Sequence, residues 1–198
     1  MINLPVLYFG YLIILFSIIG FGYLSSRLLS IRFSLGELGL NGILFMTILS
    51  YITNLFIPHG FIHNSIFLTI GLFGFFLILK KKLFRKKINL ILLVSSVLFI
   101  GIIMYKTHDD FLYYHFPYTI SLIEFKKIFG LGNLEHGFRT PSSIFYFNSL
   151  FYLPILRKSL INSGVIFFLI FSNIFFIQKI FNQLKNKKFD FILILTLF

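Results

Sequence analysis

The residues of this chain that can do acid–base or ionic chemistry crowd into one segment. Of its six carboxylates, Asp109, Asp110, Glu124 and Glu135 lie between positions 109 and 135, leaving only Glu37 and Asp190 elsewhere. The same segment carries His108, His115, His136 and Arg139. Asp109 and Asp110 can supply a general base for a hydroxyl, or bind a divalent cation such as Mg or Mn through hard oxygens. Adjacent carboxylates repel, which raises one pKa unless a cation neutralises the pair. The pair equally suits a solvated loop start or a helix cap. His115 and His136 can bind phosphate when protonated or a metal when neutral, but no recognised ligand spacing surrounds them. An interfacial hydrogen-bonding role suits them better. Arg139 offers a fork that matches phosphate oxygens, and it can also pair with Glu135 or lipid headgroups. Tyr113, Tyr114 and Tyr118 fit an aromatic belt at a membrane surface, with sugar stacking as a second reading. His59 and His63 stand four apart without further ligands, which does not make a zinc site.

These groups must be positioned by helices in a bilayer. The chain is 58% hydrophobic with mean hydropathy +0.93, where a soluble domain has roughly 45–50% apolar residues. Uncharged runs of about 18–22 residues match the length that crosses a bilayer core as a helix. The spacing predicts spans over 4–26, 38–57, 63–79, 88–105 and 160–181, with the start of another at 189. The first run is too long for a signal-peptide core and lacks a basic leader, so it reads as a retained helix. The absence of cysteine excludes disulfides and thiolate metal sites. The net charge of +12 resides mainly in short connections. That pattern follows the positive-inside rule and gives no reason to expect a nucleic-acid partner. The expected fold is all-α, a polytopic transmembrane bundle organised as 1–105, 106–159 and 160–198. Because the chain ends inside a new apolar run, a fragment of a longer protein is expected.

Orientation follows from Lys80 to Lys87, where six cations in eight residues separate two spans. Such a connection stays cytoplasmic, which places 106–159 on the exoplasmic side. Within that segment, 117–129 reads as an amphipathic surface helix. Pro117 suits its first turn, Tyr118, Leu122, Phe125 and Phe129 form its apolar stripe, and Gly130 ends it. Residues 141–156 tempt a sixth span, yet as a helix they reach only about 24 Å of the roughly 30 Å hydrocarbon core. An interfacial helix there returns Lys179, Lys185, Lys187 and Lys188 to the cytoplasmic side. Gly36, Gly39 and Gly42 recur every third residue and point to close helix packing.

The sequence around Asp109, Asp110, Tyr114, His115 and Pro117 resembles the first external loop of GT-C fold glycosyltransferases. There an acidic pair follows a transmembrane helix and precedes surface helices. A second string, with Gly130, Leu131, Asn133, Leu134, Arg139, Ser142 and Ser143, is similar to a group of uncharacterised bacterial multi-spanning proteins. The likeness covers about 34–60 and 105–152, although four helices precede the acidic loop here where GT-C enzymes commonly have one. It implies a multi-pass protein of the bacterial cytoplasmic membrane that takes sugar from a polyprenyl-phosphate donor for a cell-envelope glycan or lipid. Asp109 or Asp110 would then deprotonate the acceptor or help hold a metal, and Arg139 with His136 would stabilise the departing lipid phosphate. A flippase for lipid-linked sugars and a non-catalytic subunit of an envelope assembly complex are the alternatives from other classes.

Overall fold

The computed structural model describes residues 3–104, 109–134 and 136–186. His108, Glu135, Asp190, Lys187, Lys188 and the run from 189 lie outside the described residues. The fold is all-α. Its long helices are α1 (Leu4–Leu28), α2 (Leu35–Asn54), α3 (Phe61–Leu79), α5 (Ile88–Ile103) and α8 (Gly164–Asn186). One turn, α4 (Lys82–Arg85), leads into α5, and the short helices α6 (Phe116–Glu124) and α7 (Ser143–Ser149) stand between α5 and α8. Five helical stretches are long and apolar enough to cross a membrane, with Lys82–Ile103 counting as one of them.

Local sequence sets the helix ends. Pro5 opens α1, where its missing N–H is no loss. Ser34 and Glu37 form a capping box on α2: the Ser34 N–H donates to Glu37 Oε2 at 2.8 Å, and the Glu37 N–H donates back to Ser34 Oγ. The C-terminus of α1 closes through Ser30, held at φ 57°, with the Ile31 N–H reaching the Ser26 carbonyl at 3.1 Å. That is a Schellman-type end with serine where glycine is usual.

Glycine decides the tertiary packing. A Cβ on Gly20 would overlap the Gly71 carbonyl, one on Gly22 the Leu38 carbonyl, and one on Gly42 the Ile18 carbonyl. Helices α1, α2 and α3 therefore touch backbone to backbone, as small residues permit in a bilayer. The glycine triplet read from sequence is used across two neighbours: Gly42 meets α1, while Gly36 and Gly39 accept Phe175 and Phe171 of α8. Tyr11 ties α1 to α5 by donating to the Ser95 carbonyl at 2.8 Å. On the outside, Ile62, Ile66, Ile70 and Phe73 of α3 are all exposed, an i, i+4, i+8, i+11 face that lipid would cover.

Consecutive α1, α2 and α3 alternate direction, so Arg27, Arg32 and Lys80–Lys87 share one end of the bundle. The Gly36 N–H donates to Gln178 Oε1 at 3.1 Å, which brings the second half of α8, with Lys179 and Lys185, to that same lysine-rich end. The α5–α8 segment packs at the opposite end, against the C-terminus of α2 and the start of α3.

Two details there differ from the sequence reading. The 117–129 helix ends at Glu124, and Phe125 turns to extended backbone. Tyr118 and Leu122 are buried, but Phe125 and Phe129 are exposed, and Gly130 instead opens a 3-10 turn over Leu131–Asn133 with φ 88°. The stripe breaks because the Lys127 N–H is drawn to the Asn54 carbonyl of α2 at 2.7 Å. The 141–156 stretch is not one surface helix. Only α7 is helical, about 10 Å long, and Phe145 to Phe151 are buried throughout.

Candidate functional site

The helical element that carries the acidic pair is irregular. Asp109 and Asp110 are helical and exposed, Phe111–His115 forms a π turn, and α6 follows directly. Pro117 explains the widening. In an α-helix its ring would press on the carbonyl four residues back and its missing N–H would leave that carbonyl unpaired. A π register relieves this by inserting one residue, and such insertions are frequent at functional sites. Pro117 thus stands in the first turn of α6, as the sequence suggests, within a continuous helical element.

The structure brings most of the sequence-selected residues to this element. Tyr114 packs over Gly137, where a Cβ would approach the Tyr114 Cβ to 2.6 Å, so the 3-10 turn His136–Phe138 is seated on the π turn. His115 lies edge-on to Tyr114 with ring centroids 4.4 Å apart, and 5.0 Å from Phe145 of α7. Arg139 is exposed, and its Nε donates to the Gly132 carbonyl at 3.3 Å. That bond fixes the base of the side chain. His136 is exposed beside it, and its carbonyl accepts the Arg139 N–H at 3.1 Å.

Asp109 and Asp110 occupy consecutive helical positions. Consecutive helical residues diverge by about 100°. Among the described residues, no group of three or more His, Asp or Glu side chains could hold a metal ion.

What holds this element in place is a buried polar lock that sequence reasoning missed. His59, on the α2–α3 connection, is fully buried. Its Nδ1 lies 2.7 Å from Ser149 Oγ and its Nε2 3.2 Å from Thr53 Oγ1. Ser149 donates its own hydrogen to the Tyr146 carbonyl at 2.8 Å. Burial, with His63 alongside, pushes His59 down to about 3. The ring is therefore neutral and structural. Asn64 extends the lock: its Nδ2 faces the carbonyls of His59, Ser149 and Tyr152 at 2.8, 2.8 and 3.0 Å.

A second strand of the lock grips α6. Asn54 Nδ2 and the His59 N–H both donate to the Leu122 carbonyl, at 3.0 and 2.9 Å. Lys127 Nζ donates to the Tyr118 hydroxyl at 3.0 Å and also to the Tyr146 hydroxyl. Burial and the neighbouring phenols raise Tyr146 well above its ordinary range, so it stays protonated and its oxygen serves as an acceptor. Tyr146 also stacks on Tyr51 of α2 with centroids 3.8 Å apart. Ser50, Asn54 and Asn64 carry no local sequence signal that marks them. Their partners are 68–96 positions away.

The site is therefore an exposed carboxylate pair, a neighbouring exposed arginine and histidine, and a rigid polar base beneath them. No curated protein and no solved structure matches this chain. A family model described as a domain of unknown function, DUF8201, matches residues 5–198, and the chain belongs to that family.

Proposed function

We propose that this chain is a membrane-integral glycosyltransferase-like protein of the bacterial cytoplasmic membrane. In this reading it moves a sugar from a polyprenyl-phosphate-linked donor to a cell-envelope glycan or lipid on the exoplasmic side. The supporting observation is that Asp109 and Asp110 lie on the same helical element as Tyr114, which packs against Gly137 in the turn beside His136 and Arg139. A base and a phosphate-binding cation thereby share one platform at one membrane surface.

The acceptor oxygen attacks the anomeric carbon as the bond from that carbon to the donor phosphate oxygen breaks. Asp109 or Asp110 takes the acceptor proton. Arg139, with His136, stabilises the charge that develops on the departing lipid phosphate. Tyr114 and His115 line the platform, where they can stack on sugar. The polar lock keeps the platform from drifting, which matters because misplacement by about 1 Å can cost about 100-fold in rate. A transporter would instead place ionisable groups near the midplane. In the described spans, with Lys82–Ile103 counted as one, the charged residues Arg27, Glu37, Lys82, Arg85, Lys86, Lys87, Lys179 and Lys185 sit toward span ends.

The test is Asp109→Asn, Asp110→Asn and the double substitution in the full-length protein, scored by surface glycan in a gene-deletion background. We expect loss of glycan in at least one single variant and in the double, with normal protein levels in the membrane. Full glycan in the double variant overturns the catalytic reading. If deletion of the gene still removes glycan, a non-catalytic assembly role takes its place.

A further inference from the structure

The lysine-rich end of the bundle holds a cleft that the proposed chemistry does not use. It has a volume of about 890 Å³ and lies between the α1–α2 connection and the α3–α4 turn. Five cations line it: Arg27, Arg32, Lys81, Lys82 and Lys87. No carboxylate lines it among the described residues. The nearest candidate on the same helix, Glu37, is engaged in capping the Ser34 N–H at 2.8 Å. Five like charges around one concavity repel each other unless an anion enters.

Topology accounts for cations at this end, but not for their arrangement around a cavity. Lys80, Arg85 and Lys86 belong to the same run and do not line the cleft. Those that do are backed by built features. Lys81 Nζ lies over the Tyr23 ring at 4.6 Å from its centroid, a cation–π contact that holds the ammonium at the wall. Ser30 lines the cleft in the left-handed region, at φ 57°. The floor is apolar, with Leu38, Ile78 and Phe84 buried. A cationic rim over an apolar floor, at the level of a bilayer headgroup, suits a molecule with a phosphate and an adjoining hydrocarbon part.

We infer that this cleft binds a phosphate-bearing anion, with an anionic phospholipid headgroup as the source that fits both rim and floor. Arg27 and Arg32 would clasp phosphate oxygens through their forked guanidinium groups. Lys81, Lys82 and Lys87 would supply further charge, and Ser30 a hydroxyl.

The experiment compares two triple variants of the full chain that remove equal charge. One is Arg27→Gln, Arg32→Gln and Lys81→Gln, at the cleft. The other is Lys80→Gln, Arg85→Gln and Lys86→Gln, outside it. Each is purified in neutral detergent, given phosphatidylglycerol, cardiolipin or phosphatidylcholine, and read by native mass spectrometry for retained lipid and by thermal unfolding. Phosphatidylglycerol or cardiolipin should be retained by the native chain and the outer triple, and weakened about tenfold or more in the cleft triple. Phosphatidylcholine should not be retained. A parallel arm adds inorganic phosphate or diphosphate without lipid. Stabilisation of the native chain there, absent from the cleft triple and without lipid retention, keeps the phosphate site but assigns it to a soluble phosphate compound. Equal weakening in both triples, or no response to any phosphate-bearing anion, overturns the inference. Because the readout is binding, loss of glycan assembly in the aspartate variants bears on it in neither direction.

Discussion

His59 Nδ1 and Ser149 Oγ share a hydrogen bond of 2.7 Å that joins the α2–α3 connection to the last residue of α7 across 90 positions of sequence. It is the junction at which the membrane bundle and the α5–α8 segment become one body. Because His59 is buried and neutral, the junction works only while the ring stays unprotonated.

Acid should therefore loosen the bundle. His59 has a folded pKa of about 3, below the ordinary 6.5. The unfolded state binds the extra proton between those values, so its contribution is complete above about pH 6.5 and declines as pH falls toward 3. The loss amounts to about 1.4 kcal/mol per pH unit within that window, or about 2 kcal/mol at pH 5. Thermal unfolding in detergent at pH 7 and pH 5 should show a clear drop in Tm. His59→Gln should start lower and lose much less over the same interval. An equal drop in both proteins would remove His59 as the cause.

Asn64 is the second test of the lock. Asn64→Leu keeps the volume nearly unchanged and removes the donors facing three carbonyls. Leaving buried acceptors unpaired costs about 1–3 kcal/mol each, so a loss of about 3 kcal/mol or more is expected in equilibrium unfolding. Ser65→Ala, which removes the neighbouring hydroxyl outside the lock, should stay within about 0.5 kcal/mol.

The backbone contacts of α1 give a contrast between two glycines. Gly20→Ala places a methyl group on the Gly71 carbonyl, backbone against backbone, and neither side can move alone. The expected cost is above about 3 kcal/mol, or failure to accumulate in the membrane. Gly101→Ala in α5 meets only Ile166 Cδ1 at 3.7 Å. It should be neutral or stabilise by about 0.5–1 kcal/mol through helix propensity. Similar outcomes for the two would contradict the close approach of α1 and α3.

Pro117 separates positioning from stability. Pro117→Ala restores the N–H and removes the ring, so the π turn over Phe111–His115 can revert to α-helix. Losing the inserted residue rotates Asp109 and Asp110 by about 100° relative to α6. Stability should hold within about 1 kcal/mol or rise, while glycan assembly falls at least about tenfold. Retained assembly would show that the acids need no fixed bearing on α6.

Much of this protein was legible in one dimension. A long uncharged run must form a helix in lipid because its backbone has no other hydrogen-bond partners there. The spans, the lysine-rich end and the small-residue faces at Gly36, Gly39 and Gly42 were therefore open to reading. Local chemistry also marked Pro117 as a first-turn residue, whereas the Ser34–Glu37 capping box that starts α2 was not read from the sequence. The tertiary structure decided the rest, because the interactions involved are nonlocal. It stopped α6 at Glu124, since the Lys127 backbone bonds to Asn54, and it buried α7, since Tyr146 and Ser149 find partners on α2 and the α2–α3 connection. It also turned His59 from an isolated ring into the pin of a network. A buried polar group is defined by the partners it meets, and in this chain those partners come from helices that sequence order keeps far apart.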